Sequence, residues 1–448
     1  MSYDPLTAAS PGTGLDYVPS YWTATAGEIP ADDGRLAGPA EVDVAIIGGG
    51  YTGLSCAYHL ASEYGVRATV LEANRPGWGC SGRNGGFARA AIGRNSLGQI
   101  TQAHGPETAR RIFREALDAL GNVRTMIRRG HIECDALEAG HLKIAHRTNR
   151  AADLATEARL LQKDFDYPAE FVSAESLRAE HIGGPQSHGA LRIPDAIAVH
   201  PLKLSLGVLR MARDAGAVVH SSTPVLGWSK SGATHRLATP SGAVQARSVV
   251  LATNGYTPEH LHDCVRGTTL PVLSHIIVTR PMTVAEKAAS GFRTAHVLTD
   301  TRNLLYYWRR LPDDRILFGG RGKVTETAPG QSAQREFLLA ELKAKLPALA
   351  EITVDYDWWG WVCLTADFLP HIWHAHDDAS AHYAIGYQGS GVSYALYAGK
   401  LLAARIAGAA SAPQALTTTP LPRFPLAALR RFGQRAMYQW YRYADNRG

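Results

Sequence analysis

Cysteine is scarce and unpatterned in this chain. The five present, Cys56, Cys80, Cys134, Cys264 and Cys363, are scattered, odd in number and without CxxC spacing. That argues against a disulfide framework or a zinc site and for a reduced, cytoplasmic protein. No stretch reaches the roughly 18 consecutive apolar residues that suggest a membrane span. The start, Met1-Ser2-Tyr3-Asp4-Pro5, has neither the charged nor the apolar region of a secretory signal. A soluble protein is expected. Charge of one sign is missing over most of the length. The net charge is +6, but residues 421–448 supply +5 of it, from Arg423, Arg430, Arg431, Arg435, Arg442 and Arg447 against Asp445. The nearly neutral body lacks the basic face of a nucleic-acid binder, so no nucleic-acid partner is expected.

With 448 residues the chain is long enough for two interleaved domains. Residues 1–40, rich in Gly, Pro and Ala, read as an arm anchored by Tyr17, Tyr21 and Trp22. Val44-Ala45-Ile46-Ile47 suits a buried parallel strand, residues 53–64 carry helical apolar spacing, and Ala68-Thr69-Val70-Leu71 is a second strand. Helices are expected over 106–130, 150–165, 201–216 and 391–407. Strands are expected over 217–220, 247–252, 275–280, 304–309 and 315–319, the last three in an antiparallel sheet. The low-complexity stretch from 407 to 420 reads as a linker.

Between the first strand and its helix stands Gly48-Gly49-Gly50-Tyr51-Thr52-Gly53. Gly48 permits the tight turn, Gly50 lets a pyrophosphate approach the backbone, and Gly53 allows close helix–strand packing. The helix N-terminus at Tyr51 and Thr52 offers N–H groups to phosphates. Glu72, with Ala73 behind it, ends the second strand, where a carboxylate accepts from ribose hydroxyls. This is a dinucleotide-binding unit, and the rest of the chain selects the dinucleotide. A glycine-rich run follows the acid and holds Gly79, Ser81, Arg83, Asn84, Gly85 and Gly86; its backbone can pass close to a large ligand. Ala252-Thr253-Asn254-Gly255 ends a later strand, and Gly389-Ser390-Gly391-Val392 opens a late helix. The dipole of that helix suits the electron-rich edge of a reduced flavin.

On these pieces the chain resembles the FAD-dependent D-amino-acid oxidase/glycine oxidase superfamily, and within it the γ-glutamylputrescine oxidoreductases. The carrying motifs are GGGYTGLSCAYHLA, LEANRPGWGCSGRNGG, His200-Pro201, TRNLLYYWRR with RILFGGRG, and GYQGSGV. The resemblance implies non-covalent FAD, with Glu72 on the adenosine ribose and Ser81 and Arg83 to Gly86 near the pyrophosphate, ribityl chain and flavin ring. It also implies a backbone contact from Val225 to adenine and Gly389 to Val392 beside the pyrimidine edge. Phe87 stands where the family leads one to expect glutamine, and Ser390 where histidine is frequent.

The expected fold is α/β: a Rossmann-like FAD-binding domain interleaved with an α+β substrate domain carrying a mainly antiparallel sheet. The FAD-binding parts are 41–100, 196–262 and 355–410, and the substrate domain 101–195 and 263–354; linker and basic helix fill 411–448. The expected activity is oxidation of an amine C–N bond to an imine, with O2 or another acceptor as electron partner and a carboxylate-bearing, γ-glutamylputrescine-like amine as substrate. A dehydrogenase feeding a membrane quinone and a flavin-binding scaffold without turnover are the alternatives. Flavin chemistry asks orientation and exclusion of water of the protein, so no metal is expected. Alternation puts Tyr307 and Arg309 on one strand face, a candidate carboxylate holder, with Trp361 a candidate pocket wall. Core packing and a surface arginine are the plain readings of the same residues. His275 reads as a satisfied histidine and His200 as the start of a helix. In the tail, Leu429, Phe432, Ala436, Trp440 and Tyr443 recur at helical spacing. This stripe is expected to pack on the body with the arginines solvated, membrane contact being the less favoured reading.

Overall fold

The computed structural model describes residues 3–446 apart from 92, 94 and 410–419, so residues 410–419 of the expected linker lie outside the described residues. Two eight-stranded sheets organise the chain, with a three-stranded sheet of Phe87–Arg89, Ala196–Ala198 and Leu137–Glu138 as a third, smaller one.

The first sheet is built around Ala40–Ile47, whose last four residues are all buried. It pairs in parallel with Ala68–Leu71 on one side and with Gly242–Leu251 on the other, so that Ile47 stands opposite both Leu71 and Leu251. Gly242–Leu251 is shared: its first half pairs with the hairpin strand Thr234–Thr239, its last three residues with Asp378–Ile385. The carboxyl ends of four parallel strands therefore converge, where open α/β sheets bind ligands. Tyr51–Tyr64 covers this sheet and is itself crossed by Gly391–Ile406. The crossing is close because Gly399 has no side chain: a Cβ there would stand 2.6 Å from the Thr52 carbonyl oxygen.

The second sheet runs Val354–Thr365, Thr269–Thr279, Ile316–Arg321, Tyr307–Arg310, Val297–Asp300, His141–Ile144, Ala190–Ile193, Glu170–Val172. It is antiparallel except where Val297–Asp300 meets His141–Ile144. Two expectations are corrected here. Val354–Thr365 was expected in the FAD-binding domain but pairs along its whole length with Thr269–Thr279. The strand expected from 304 starts only at Tyr307. The Asp445 carboxylate takes the N–H groups of Asn303 and Leu304, and Asp300 takes that of Tyr306, which removes the donors a ladder would use.

The C-terminal helix, Arg430–Asn446, reverses a third expectation. Its inward face is Arg430, Gln434, Tyr438 and Asp445, while Leu426, Leu429, Phe432, Trp440 and Tyr443 are exposed. Charged anchors outweigh apolar burial. Arg430 is paired with Glu259 at 2.6 Å and Arg431 with Asp4 at 2.6 Å, and each also donates to a carbonyl of the 269–279 strand. Among the described residues no helix is long and apolar enough to cross a membrane.

Candidate cofactor and substrate site

The glycine turn after the first strand is held by the Gly48 N–H on the Leu71 carbonyl, with Gly48 at φ +107°. A Cβ on Gly53 would stand 2.0 Å from the Gly48 carbonyl oxygen, so only glycine lets the helix start this close to the strand end. Over Gly50 stands Ser81, whose hydroxyl accepts from the Tyr51 N–H at 2.9 Å. Glu72 is half-buried on the cavity wall, accepting from the N–H of Gly49 at 2.7 Å and of Asn74 at 2.9 Å. Burial raises its carboxyl above the usual range, against the pull of those N–H groups. A carboxylate accepts at about four positions, so capacity remains for a hydroxyl donor.

One cavity runs from this turn to the second sheet. Of the residues expected on the cofactor, Gly48, Gly50, Tyr51, Thr52, Glu72 and Ala73 line it at the strand ends. Gly79, Ser81, Arg83, Asn84 and Gly85 line it from the glycine-rich run, and Val225, Ala252, Thr253 and Asn254 from the adjoining sheet. Gly389, Gly391 and Val392 close the far end. Gly53, Gly86, Gly255 and Ser390 lie outside the lining. The first three are pinned by backbone: added Cβ atoms would stand 2.0 to 2.1 Å from the carbonyl oxygens of Gly48, Val199 and Trp361. Ser390 instead donates to the Tyr387 carbonyl.

The cavity fits FAD on its own chemistry. Arg83 stacks on Trp78, 4.0 Å from the ring centroid, and donates Nε to the Trp78 carbonyl. Its Nη2 is buried without a partner among the described residues, as is Gln388 Oε1. Both residues line the cavity, so each brings a polar atom that a bound ligand would satisfy. At Gly389 the backbone has φ +110° with no atom within 4 Å of where a Cβ would be, an open bay beside the late helix. Cys80 also lines the cavity, its thiol on the Trp361 carbonyl. Burial raises that thiol to about 12.

Against the second sheet the cavity is walled by Ser274, Ile276, Thr299, Tyr307, Gly320, Arg321, Gly360 and Val362. The Tyr307 hydroxyl meets Ser274 Oγ at 2.9 Å, and its ring lies over Gly319 and Gly85. Burial raises its hydroxyl to about 12, so it stays neutral. Arg309 lies outside the lining: it is 5% exposed, donates to the Val199 carbonyl at 2.7 Å and sits 5.3 Å from the Trp22 ring. That replaces both the carboxylate holder and the surface arginine. Trp361 also points away, because Gly360 and Val362 take the cavity side and leave it packed with Trp78, Tyr256 and Leu273. His275 is buried between Gln331 and Asp357, and His200 caps the helix Pro201–Asp214 through the Lys203 N–H.

The sequence reading missed Arg89 and Arg321. Both line the cavity, and neither has a carboxylate partner among the described residues. Glu72 is the one acid in the lining. The signal for Arg321 was its place at the end of the strand Ile316–Arg321. Ser10 and Pro11, from the N-terminal arm, also reach the cavity.

A flavin-sized cavity, a dinucleotide turn and an antiparallel wall define an FAD-dependent oxidoreductase. The chain belongs to the DAO family, described as FAD dependent oxidoreductase, whose profile matches residues 43–405. It is 30% identical over 410 residues to gamma-glutamylputrescine oxidoreductase of Escherichia coli, covering 92% of this chain and 94% of that protein. With glycine oxidase of Bacillus subtilis it shares 24% identity over 80% of this chain and 91% of that one. The fold matches glycine oxidase from Geobacillus kaustophilus with a TM-score of 0.68 at 20% identity, over 86% of this chain and all of that one. FAD is the cofactor, and the chain is an enzyme.

Proposed function

We propose that this enzyme oxidises the C–N bond of an amine that carries a carboxylate, γ-glutamylputrescine or a compound of that kind, with O2 as acceptor and H2O2 as product. The observation that carries the reading is the cavity's charge: Arg89 and Arg321 face a lining whose one acid, Glu72, belongs to the dinucleotide end. Unpaired guanidinium groups in a largely apolar cavity favour an anionic substrate group. The name of the Escherichia coli relative supplies the substrate class. Bound FAD would supply the acceptor for the two electrons and the hydrogen lost from the amine's α-carbon, leaving an imine that hydrolyses in water.

The protein's part is orientation. Arg321 and Arg89 hold the carboxylate, and the neutral Tyr307 hydroxyl positions the amine end. Phe87, Ile276 and Leu305, all in the lining, keep water from the reacting carbon. Anaerobic addition of γ-glutamylputrescine is expected to bleach the flavin, and putrescine, which lacks the carboxylate, to do so only at much higher concentration. Loss of charged hydrogen bonds costs about 1.5–3 kcal/mol. Arg321→Met is therefore expected to raise KM for the carboxylate-bearing amine by roughly 10- to 150-fold with FAD content unchanged. Equal reduction by putrescine, or an unchanged KM, would sink this reading. Absence of peroxide during turnover would favour a dehydrogenase passing electrons to a membrane quinone.

A further inference from the structure

We propose that the C-terminal helix is a docking element for the surface of an anionic lipid membrane, independent of which amine the enzyme oxidises. The helix stands on the body with its polarity inverted. Its contacts with the body are ionic and hydrogen-bonded: Arg430 on Glu259, Arg431 on Asp4, and Asp445 on Asn303 and Leu304. The anchors fix one rotation about the helix axis, and that rotation turns Phe432, Ala436, Trp440 and Tyr443 outward, with Leu426 and Leu429 continuing the row. Phe432 is 71% and Trp440 63% exposed. A surface helix would ordinarily bury such a stripe; here Leu426, Leu429, Phe432 and Trp440 each stay more than half exposed among the described residues.

Charge selects the occupant. The one acid among residues 420–446 is Asp445, and it is buried against Asn303 and Leu304. The exposed charges of this segment are thus Arg423, Arg435 and Arg442, all positive. Arg435 and Arg442 are seven residues apart, two helical turns, and so lie on one flank of the apolar row. An outward ridge of Phe, Trp and Tyr flanked by arginine is the pattern of a helix lying in a membrane interface. Its apolar side chains reach the acyl boundary there, and its arginines meet lipid phosphates. Trp440 and Tyr443, with ring centroids 5.9 Å apart, each combine an apolar ring with a polar tip suited to the headgroup level.

The test is co-sedimentation of the full-length holoenzyme with phosphatidylglycerol–phosphatidylcholine vesicles and with phosphatidylcholine vesicles, at low and physiological salt. Binding to the anionic vesicles is expected, weakened by salt and by neutral lipid. Phe432→Glu with Trp440→Glu is expected to abolish it while melting temperature, FAD content and turnover in solution stay at wild-type values. Arg435→Ser with Arg442→Ser is expected to weaken it on the order of 10- to 30-fold and to remove most of its salt dependence. No binding to anionic vesicles, or binding unchanged by the Phe432 and Trp440 substitutions, overturns the proposal. So does a dimer of the free enzyme that those substitutions dissolve, which would assign the ridge to a second copy of the chain.

Discussion

Gly53 and Gly50 stand three residues apart and do different things. Over Gly53 is a backbone carbonyl, 2.0 Å from where a Cβ would sit; over Gly50 is the movable hydroxyl of Ser81, at 2.8 Å. Gly53→Ala is therefore expected to destabilise the fold itself, seen as a lowered melting temperature. Gly50→Val is expected to leave a folded but colourless protein, because its side chain displaces Ser81 and enters the cofactor cavity. Flavin-to-protein absorbance and a thermal melt separate the two, and a yellow Gly50→Val protein would remove the turn from the FAD site. Both positions were legible in the sequence because the turn is local: strand end, glycine spacing and helix start lie within six residues. Arg309 was not. Its surroundings are the Val199 carbonyl, 110 residues away, and the Trp22 ring of the N-terminal arm, and alternation along one strand carries no information about either.

The C-terminal helix shows the same limit for an element. Helical spacing located it and its apolar stripe, but which side faces the body is decided by Glu259, Asp4 and Asn303, none near it in sequence. The Arg430–Glu259 pair has side chains only 6% and 8% exposed. Removing one partner strands the other charge in the interior. Arg430→Ala is thus expected to cost about 3–5 kcal/mol of stability. Arg435→Ala, on the exposed flank, should stay within about 0.5 kcal/mol. Replacing both partners, as Arg430→Met with Glu259→Leu, should recover most of the loss. Denaturant unfolding of the three variants checks this, and equal melts for Arg430→Ala and Arg435→Ala would show that the pair is not what holds the helix.

Acid stability is a property of the whole molecule. Burial lowers His146, His296 and His382 to about 4 and His200 to about 3. The unfolded chain takes up these protons near pH 6.5, the folded protein only near pH 4. Between those values the unfolded state binds more protons, so stability falls as pH falls. Carboxylates held low, such as Glu286 and Asp378 at about 2, act only further into acid; Glu72, raised by burial, opposes the trend. The melting temperature is expected to drop between pH 7 and pH 5, and a flat or rising profile across that range would contradict it. At this scale the sequence did not show that residues 354–365 pair with residues 269–279, since that pairing is written in neither segment alone.

The central strand of the first sheet has one neighbour, Ala68–Leu71, close behind it and the other, Gly242–Leu251, some 200 residues later. At about 5–20 residues per second, a ribosome needs roughly 10–40 s to deliver the second. During that interval the apolar strand Ala40–Ile47 has an open edge, the kind of edge that invites mispairing. The cavity is completed later still, when Gly389 to Val392 emerge. Cofactor capture thus belongs to the last stage of synthesis, and for most of its time on the ribosome the chain must be kept from aggregating without help from FAD.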